Sequence, residues 1–387
     1  MTELGDGNFE AHYGRVGNSG VKEIYPMSKW EKIYKTKTTR KDHPYRDVTD
    51  LVSVAKSEPE DDQQVKITGV SREVQNLINF LQSCAKGTIS RNYTVAVADV
   101  TEKQVDAAQT ILDELIGLSK ESTIKRDAIN KALLGMYTTI PRKMSNTKLF
   151  LIQPEDDTPK FQRLLSNEQD LLDIMRGQVA TQATQPKDTS SNLDLKSLGL
   201  TLELATPAMI AEIKAGTDLD FSKVGAIYYV EHGLHKGRYT KYPEIKNEKL
   251  FYHGSRNENW WSILNTGLKI RPANAIASGS MFGDGIYFAN KARKSIGYTS
   301  LRGSYWASGS ANQAFLALYQ VNLGKHWDLF DGGKRYDYSM GRLNLATIGQ
   351  KGYNSVFARG GADLMNDEYI IYEEPRCTVK YLIELKA

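Results

Sequence analysis

From Val70 onward, apolar positions recur with a helical period. Val74, Leu77, Ile78 and Leu81 stand at i, i+3, i+4 and i+7, which lays one apolar stripe along a helix. Thr101 and Gln104 then form a Thr-x-x-Gln capping box, in which hydroxyl and amide each satisfy an otherwise unpaired backbone N–H. Val105, Ala108, Leu112 and Leu115 supply the apolar face of the helix that follows. Two further helices are predicted, from Ile129 to Leu134 and from Leu164 to Met175. The stretches TIPRKMSNTKLFL and PEDDTP read as connections, because Pro141, Pro154 and Pro159 each disfavour helix locally. Together these elements predict an all-helical domain over 70–185.

The period changes after TQATQPKDTSSN, residues 181–192, a polar stretch with little to bury that marks a boundary. GAIYYVEH, KLFYHGS, DGIYFAN, FLALYQVNLG, YIIYEE and VKYLIELK are β-branched and aromatic runs bounded by Gly, Asn, Asp or Pro, and each predicts a strand. Residues 190–387 therefore form a mixed, β-rich domain with a few short helices, and no internal repeat of fixed period runs through the chain. The fold class expected is α+β and multidomain, with antiparallel sheets in the C-terminal half.

Composition narrows the classes. The 387 residues are 40% hydrophobic and 25% charged, which excludes disordered and fibrous chains and suffices for two or three domains. No apolar run reaches the roughly 18 residues of a membrane span, so no membrane partner is expected. Acidic residues in MTELGDGNFE stand where a signal peptide needs a basic and then an apolar stretch, so secretion by that route is not expected. Cys84 and Cys377 are too few for a disulfide framework or a four-cysteine zinc site, and a reducing compartment is the default. The formal net charge of +4 matters less than its placement. Lys22, Lys29, Lys32, Lys35, Lys37, Arg40, Lys41 and Arg46 stand against Glu23, Glu31 and Asp42, an excess of five positive charges in one short stretch. SEPEDDQQ then reverses the sign, and 56–69 reads as a solvated acidic linker.

Two common nucleotide motifs are absent: no strand leads into G-x-G-x-x-G and a helix, and no G-x-x-x-x-G-K-[ST] occurs. His232 and His235 in EHGLHKG form a conceivable metal pair, but without further ligands they read as two exposed loop histidines at a strand end, and no metal is expected. More specific is LFYHGSRNENWWSILNTGLKIRP followed by GSMFGDGIYFANKARKSIGY, where glycine and polar residues interrupt strands. Gly254 lets a backbone approach a ligand closely, Ser255 and Ser295 offer hydroxyls, and Tyr287 and Tyr298 offer flat faces. That set suits a planar amide.

These residues carry a resemblance to the poly(ADP-ribose) polymerases, the diphtheria-toxin-like branch of ADP-ribosyltransferases. His253 in YHGS, Tyr287 in GIYFAN and Glu368 in NDEYIIY fall in the order and settings of that family's His-Tyr-Glu triad, and KYLIELK resembles its last strand. VTEKQVDAAQTILDEL and GMYTTIP resemble the family's helical regulatory domain. HYGRVGNSGVKEIYPMSKWEKIYKTKT resembles its WGR module over 1–55, with Tyr13 in place of the tryptophan. The resemblance implies that NAD+ is a consumed substrate, with no resident cofactor, whose nicotinamide bond breaks through an oxocarbenium-like state. Glu368 would stabilise that charge and orient the acceptor, and His253 would hold the adenosine-side ribose. Gly254 and Ser295 would pair with the amide, and Tyr298 would stack on the ring, with Tyr287 opposite. Ser255, Ser262 and Lys269 match contacts to the adenosine and phosphate portion. DNA ends or nicks would be bound through Arg15, Lys32, Lys35 and Lys37 by phosphate contacts. Acceptor proteins would include the chain itself, which is a monomer by default. A eukaryotic member would be nuclear, and otherwise cytoplasmic.

Some positions depart from the family pattern. Asp284 in FGDGIYFA stands where members with this triad carry a basic residue, so the surroundings of Glu368 are expected to differ. Ser280 replaces an aromatic, and the small residues of ANAIASGS predict a looser cover over NAD+. The chain ends at Ala387, short of longer-tailed relatives, and Met1 falls where the WGR module's preceding strand would be ending, so its sheet is expected to lack an edge partner. Two other readings stand beside polymer synthesis: a mono-ADP-ribosyltransferase, which Glu368 disfavours, and a non-catalytic protein that holds nucleic acid and binds NAD+ poorly.

Overall fold

The computed structural model describes residues 1–13, 21–40, 66–119, 121, 124–183, 192–241, 247–270, 281–329, 343–361 and 364–387. Its contacts divide the chain into two compact units, Met1–Glu60 with Ile89–Thr158, and Asp61–Thr88 with Pro159–Ala387.

In the first unit, β1 (Thr2–Glu3), β2 (Asn8–Tyr13) and β3 (Val21–Pro26) form an antiparallel sheet in that order. Alternation along β2 turns Phe9 and Ala11 inward, and the Phe9 ring is fully buried, with ring centroids 5.7 Å from Tyr25 and 4.9 Å from Trp30. Trp30 opens α1 (Trp30–Thr38), which carries Lys32, Lys35 and Lys37. The edge expected to be open is partly covered: Thr2 and Glu3 pair with Glu10 and Phe9, two of the six residues of β2. Arg15 and the acidic tract between Asp50 and Asp62 lie outside the described residues.

The last residues of α2 (Arg72–Asn92) belong to this unit, together with α3 (Glu102–Leu118) and α4 (Arg126–Thr139). The capping box of α3 is formed: Gln104 N donates to Thr101 Oγ1 at 3.2 Å, and Thr101 N donates to Gln104 Oε1 at 2.9 Å. Such a cap is worth about 1 kcal/mol. All four predicted apolar positions of α3 are buried, and Ile116 joins them.

The second unit contains β4 (Lys66–Ile67), the body of α2, and α5 (Thr158–Ala183). At 26 residues, α5 corrects the reading of Pro159 as part of a connection. The proline sits in the first turn, where a missing N–H breaks no helical bond. At the other end, Thr181 is buried and still helical, although it was read as the start of a polar boundary.

After β5 (Asn192–Leu193), parallel to β4, come β6 (Leu200–Leu204), α6 (Pro207–Gly216), β7 (Val224–His232), α7 (Gly233–Thr240), β8 (Glu248–Gly254), α8 (Asn257–Thr266), β9 (Ile286–Phe288), α9 (Ala292–Ile296), β10 (Gln313–Asn322), β11 (His326–Leu329), α10 (Leu345–Gln350), β12 (Ser355–Ala358), β13 (Glu368–Ile371) and β14 (Cys377–Lys386). A five-stranded antiparallel sheet has the order β6-β7-β14-β10-β8. A four-stranded sheet has the order β11-β12-β13-β9, antiparallel except between β11 and β12. Both faces of β10 are covered, which explains its near-continuous apolar sequence. Phe315, Ala317 and Tyr319 face a core shared with Val74, Leu77, Ile78 and Leu81 of α2 and with Trp260 and Trp261 of α8. Ala314, Leu316 and Leu318 face a second core with Ile213 of α6.

His232 and His235 are not exposed loop histidines. His232 is buried at the end of β7, and His235 lies half-buried on α7, their rings stacked with centroids 4.0 Å apart at 14°. Burial, then His232, Lys269 and Arg238, push the His235 imidazole down to about 3, so the pair is neutral at pH 7. Among the described residues no helix is long and apolar enough to cross a membrane.

Candidate active site

The two sheets meet where β8 passes β9. Tyr252 N donates to Ala289 O at 2.8 Å and Ala289 N donates back at 3.1 Å. This junction brings the end of β8, the start of β13, β9, α8 and α9 around one cavity of ≈ 420 Å³. His253, Gly254, Ser255, Ser262, Lys269, Tyr287, Ser295, Tyr298 and Glu368 all line it. The sequence separates Ser255 from Glu368 by more than a hundred residues, and the sheet register brings them together.

Glu368 opens β13 on the same face as Ile370 and is 6% exposed. One carboxylate oxygen, Oε1, is paired with Lys294 of α9. The other, Oε2, is buried without a hydrogen-bond partner. Burial pushes this carboxyl above the usual carboxylate range, and the Lys294 ammonium pulls it back. An orphaned acceptor of this kind is costly to keep in a fold.

His253 is held by Nδ1, 3.1 Å from the Tyr287 carbonyl oxygen. A carbonyl only accepts, so Nδ1 carries the proton and Nε2 is left as an acceptor. Burial lowers its pKa, which keeps the imidazole neutral at pH 7. Phe288, Tyr319 and Trp260 surround the ring edge-on, fixing its plane.

The remaining wall is set by close backbone approach. A side chain at Gly254 would put its Cβ 1.8 Å from the Ser295 carbonyl oxygen, so only glycine lets α9 pack against β8. Tyr287 donates its hydroxyl to Gly283 O at 2.9 Å and accepts from Phe282 N at 3.0 Å, which locks its ring as one wall. The Tyr298 phenol is pushed up to about 12 by burial and by the Glu368 charge, which places the two groups in one electrostatic environment.

Three polar residues are already engaged. Ser255 Oγ accepts from Asn259 Nδ2 at 3.1 Å, and Lys269 Nζ donates to Glu374 Oε2 at 3.0 Å. Ser262 Oγ donates to the Asp173 carbonyl oxygen of α5 at 2.7 Å. Helix α5 also contributes Ser166, Asp170, Asp173 and Ile174 to the lining. It lies tightly on α8: the Trp261 indole N–H donates to Thr181 Oγ1 at 3.0 Å, and a Cβ at Gly177 would stand 2.5 Å from Ser262 Cα.

Asp284 is not among the lining residues. Its amide donates to Leu343 O at 2.8 Å, and its charge helps to raise the Tyr287 and Tyr372 phenols. Lys294 supplies the cation beside Glu368, a role sequence reasoning missed although the residue directly precedes Ser295. The α5 contributions were also missed, because polar residues on a helix read as a solvated face. Ser280 and ANAIASGS lie outside the described residues, as does Arg15. On α1, Lys35 pairs with Glu31 at 3.8 Å, and the Lys37 ammonium lies 3.5 Å from the Tyr13 ring centroid.

A family profile described as "Poly(ADP-ribose) polymerase catalytic domain" matches residues 211–387. The chain is similar to a "Putative poly [ADP-ribose] polymerase-like 100L" of Invertebrate iridescent virus 6, at 33% identity over 163 residues that cover 41% of this chain and 84% of that protein. It is similar to "Poly [ADP-ribose] polymerase 1" of Danio rerio at 24% identity, over 82% of this chain and 34% of that protein. "Poly [ADP-ribose] polymerase 2" of Homo sapiens is 31% identical over 37% of this chain and 27% of its own length. The chain thus spans about a third and about a quarter of the length of these last two relatives. With His253, Gly254, Tyr287, Ser295 and Glu368 gathered in one cavity, the chain belongs to the poly(ADP-ribose) polymerase family, and residues 211–387 are its catalytic domain, of the class that transfers ADP-ribose from NAD+.

Proposed function

We propose that this chain consumes NAD+, releases nicotinamide, transfers ADP-ribose to proteins including itself and elongates the product into polymer, and that DNA ends or nicks stimulate it. The observation that carries the reading is the buried, unpartnered Oε2 of Glu368, a residue that lines the same cavity as His253, Tyr287 and Tyr298. As the bond to nicotinamide loosens, positive charge develops on the ribose. A carboxylate beside Lys294 in a dry site stabilises that charge and accepts a hydrogen bond from a ribose hydroxyl. The Nε2 acceptor of His253 takes a hydroxyl of the other ribose. The backbone of Gly254 and the hydroxyl of Ser295 meet the amide, with Tyr298 and Tyr287 on the two ring faces. No covalent step on the protein is needed, because positioning and electrostatics supply the rate.

Restraint comes from α5. Ser262 is committed to the Asp173 carbonyl, and α5 side chains occupy the wall where the adenosine and phosphates would lie. DNA bound at the basic N-terminal segment, through Lys32, Lys35, Lys37 and Arg15, would favour a loosened α5 over the packed one by a coupling of about 1 to 3 kcal/mol. In a eukaryotic host the DNA partner sets the nucleus as the place of action. Labelled NAD+ with and without nicked DNA, with products resolved by size, tests these claims together. Long, DNA-stimulated polymer is the expected result. Short adducts alone would point to a mono-transferase, and polymer indifferent to DNA would remove the sensor from the proposal.

A further inference from the structure

Beyond α9 the chain makes a loop, 301–310, that leads into β10, and it carries two of the most exposed large aromatic side chains among the described residues, Tyr305 at 78% and Trp306 at 51%. Exposed tryptophan surface gains nothing from folding, so its retention in a fixed place points to a ligand. The loop is fixed by its own backbone. Trp306 N and Ala307 N both donate to Gly297 O, at 2.9 and 3.0 Å, and Gly309 N donates to Ser304 Oγ at 2.8 Å. Its base is closed by the bridge between Leu301 and Ala311. Ser308 adopts φ 48°, a left-handed conformation that a non-glycine residue takes only where its surroundings impose it.

This pinning aims the indole. Trp306 lines the same cavity as Glu368 and Lys294, and its ring is nearly parallel to that of Tyr298, at 18° with centroids 6.1 Å apart. Tyr305 stands edge-on to Trp306, centroids 4.7 Å apart at 89°, and buttresses it. Tyr298 and Trp306 therefore present two nearly parallel rings at the cavity that Glu368 also lines. A planar electron-poor ring resting on Tyr298 meets Trp306 at its outer edge.

We infer that Trp306 is a specificity-determining residue of the nicotinamide end of the cavity, holding a planar aromatic carboxamide there: the nicotinamide of NAD+ before bond breakage and the free amide after it. The inference rests on the proposed placement of nicotinamide against Tyr298. Trp306 acts on how long the leaving group stays, since it bears no group that could take part in the chemistry. Its removal should weaken free nicotinamide and the KM for NAD+ while leaving kcat equal or raised.

The test measures nicotinamide binding by calorimetry, with no turnover required, and steady-state kinetics with NAD+, for the full chain and for Trp306→Ala and Trp306→Phe. Loss of one aromatic contact corresponds to about a tenfold weaker affinity for nicotinamide in Trp306→Ala. Trp306→Phe should recover most of it, with unchanged binding of ADP-ribose, which lacks the amide. Unchanged nicotinamide affinity in both variants overturns the inference. An equal loss of ADP-ribose binding also overturns it, because the loop would then be a general support. Should the parent chain bind nicotinamide through Trp306 yet never cleave NAD+, the proposed function falls and this inference stands. If the parent binds no nicotinamide, both fall.

Discussion

At Glu368 the balance between burial and charge decides how readily the carboxyl ionises. Burial raises the carboxyl and Lys294 opposes the rise, with side chains 8% and 14% exposed. In Lys294→Met the rise is unopposed, so the carboxylate ionises only at higher pH. The acid limb of nicotinamide release against pH should therefore move to the alkaline side, whereas Lys294→Arg should keep it near the parent. Stability follows the same sign. A carboxyl whose folded pKa exceeds its unfolded value of about 4.3 contributes most below that pH and loses its contribution as pH rises through the folded value. Lys294→Met should therefore lie closest to the parent in acid and about 3 kcal/mol below it near pH 7.5, as read by thermal unfolding at several pH values. His253, Tyr287 and Glu368 were legible as candidates in the sequence because each has distinctive neighbours in YHGS, GIYFAN and NDEYIIY, and all three line one cavity. Lys294 was not, because one lysine among Lys291, Arg293 and Lys294 gains meaning only when α9 turns it toward β13.

Among the elements, α5 shows best what periodicity reveals and what it hides. The run from Leu164 to Met175 predicts the helix, but its length does not follow, since Pro159 and Thr181 read as boundary residues, whereas one sits in the first turn and the other accepts a bond from Trp261. The close approach at Gly177 carried one signal, a glycine inside a helical pattern. Gly177→Ala would force its Cβ against Ser262, pushing α5 off α8. The expected outcome is a lower melting temperature together with a several-fold rise in NAD+ turnover without DNA. A lower melting temperature with no rise would mean that α5 does not restrain the site. The six strands predicted from GAIYYVEH to VKYLIELK are all present, whereas β6, β11 and β12 went unpredicted, because short edge or mixed-polarity runs lack a clear period of two.

For the whole molecule, the division of the chain follows contacts that local pattern does not express. The Val74 stripe looks like part of a helical bundle in the sequence, yet it lies in the core beneath β10, while α3 and α4 belong to the other unit. The basic N-terminal segment is where a nucleic-acid partner would act. Replacing exposed Lys32 and Lys35 by Ala should lower the slope of log affinity for nicked DNA against log salt by about 2, because each phosphate contact releases about one counterion. Nicotinamide release in the absence of DNA should not change. An unaltered slope, measured by fluorescence anisotropy, would place DNA binding elsewhere.

Most directly, nicotinamide release from NAD+ should be compared between the parent chain and Glu368→Gln, the amide keeping the shape of the buried carboxylate while removing its charge. Release should fall by at least about 100-fold, with nicotinamide still bound and folding intact. Release within a few-fold of the parent, in a folded variant, would contradict the assignment of Glu368 as the group that stabilises the breaking bond.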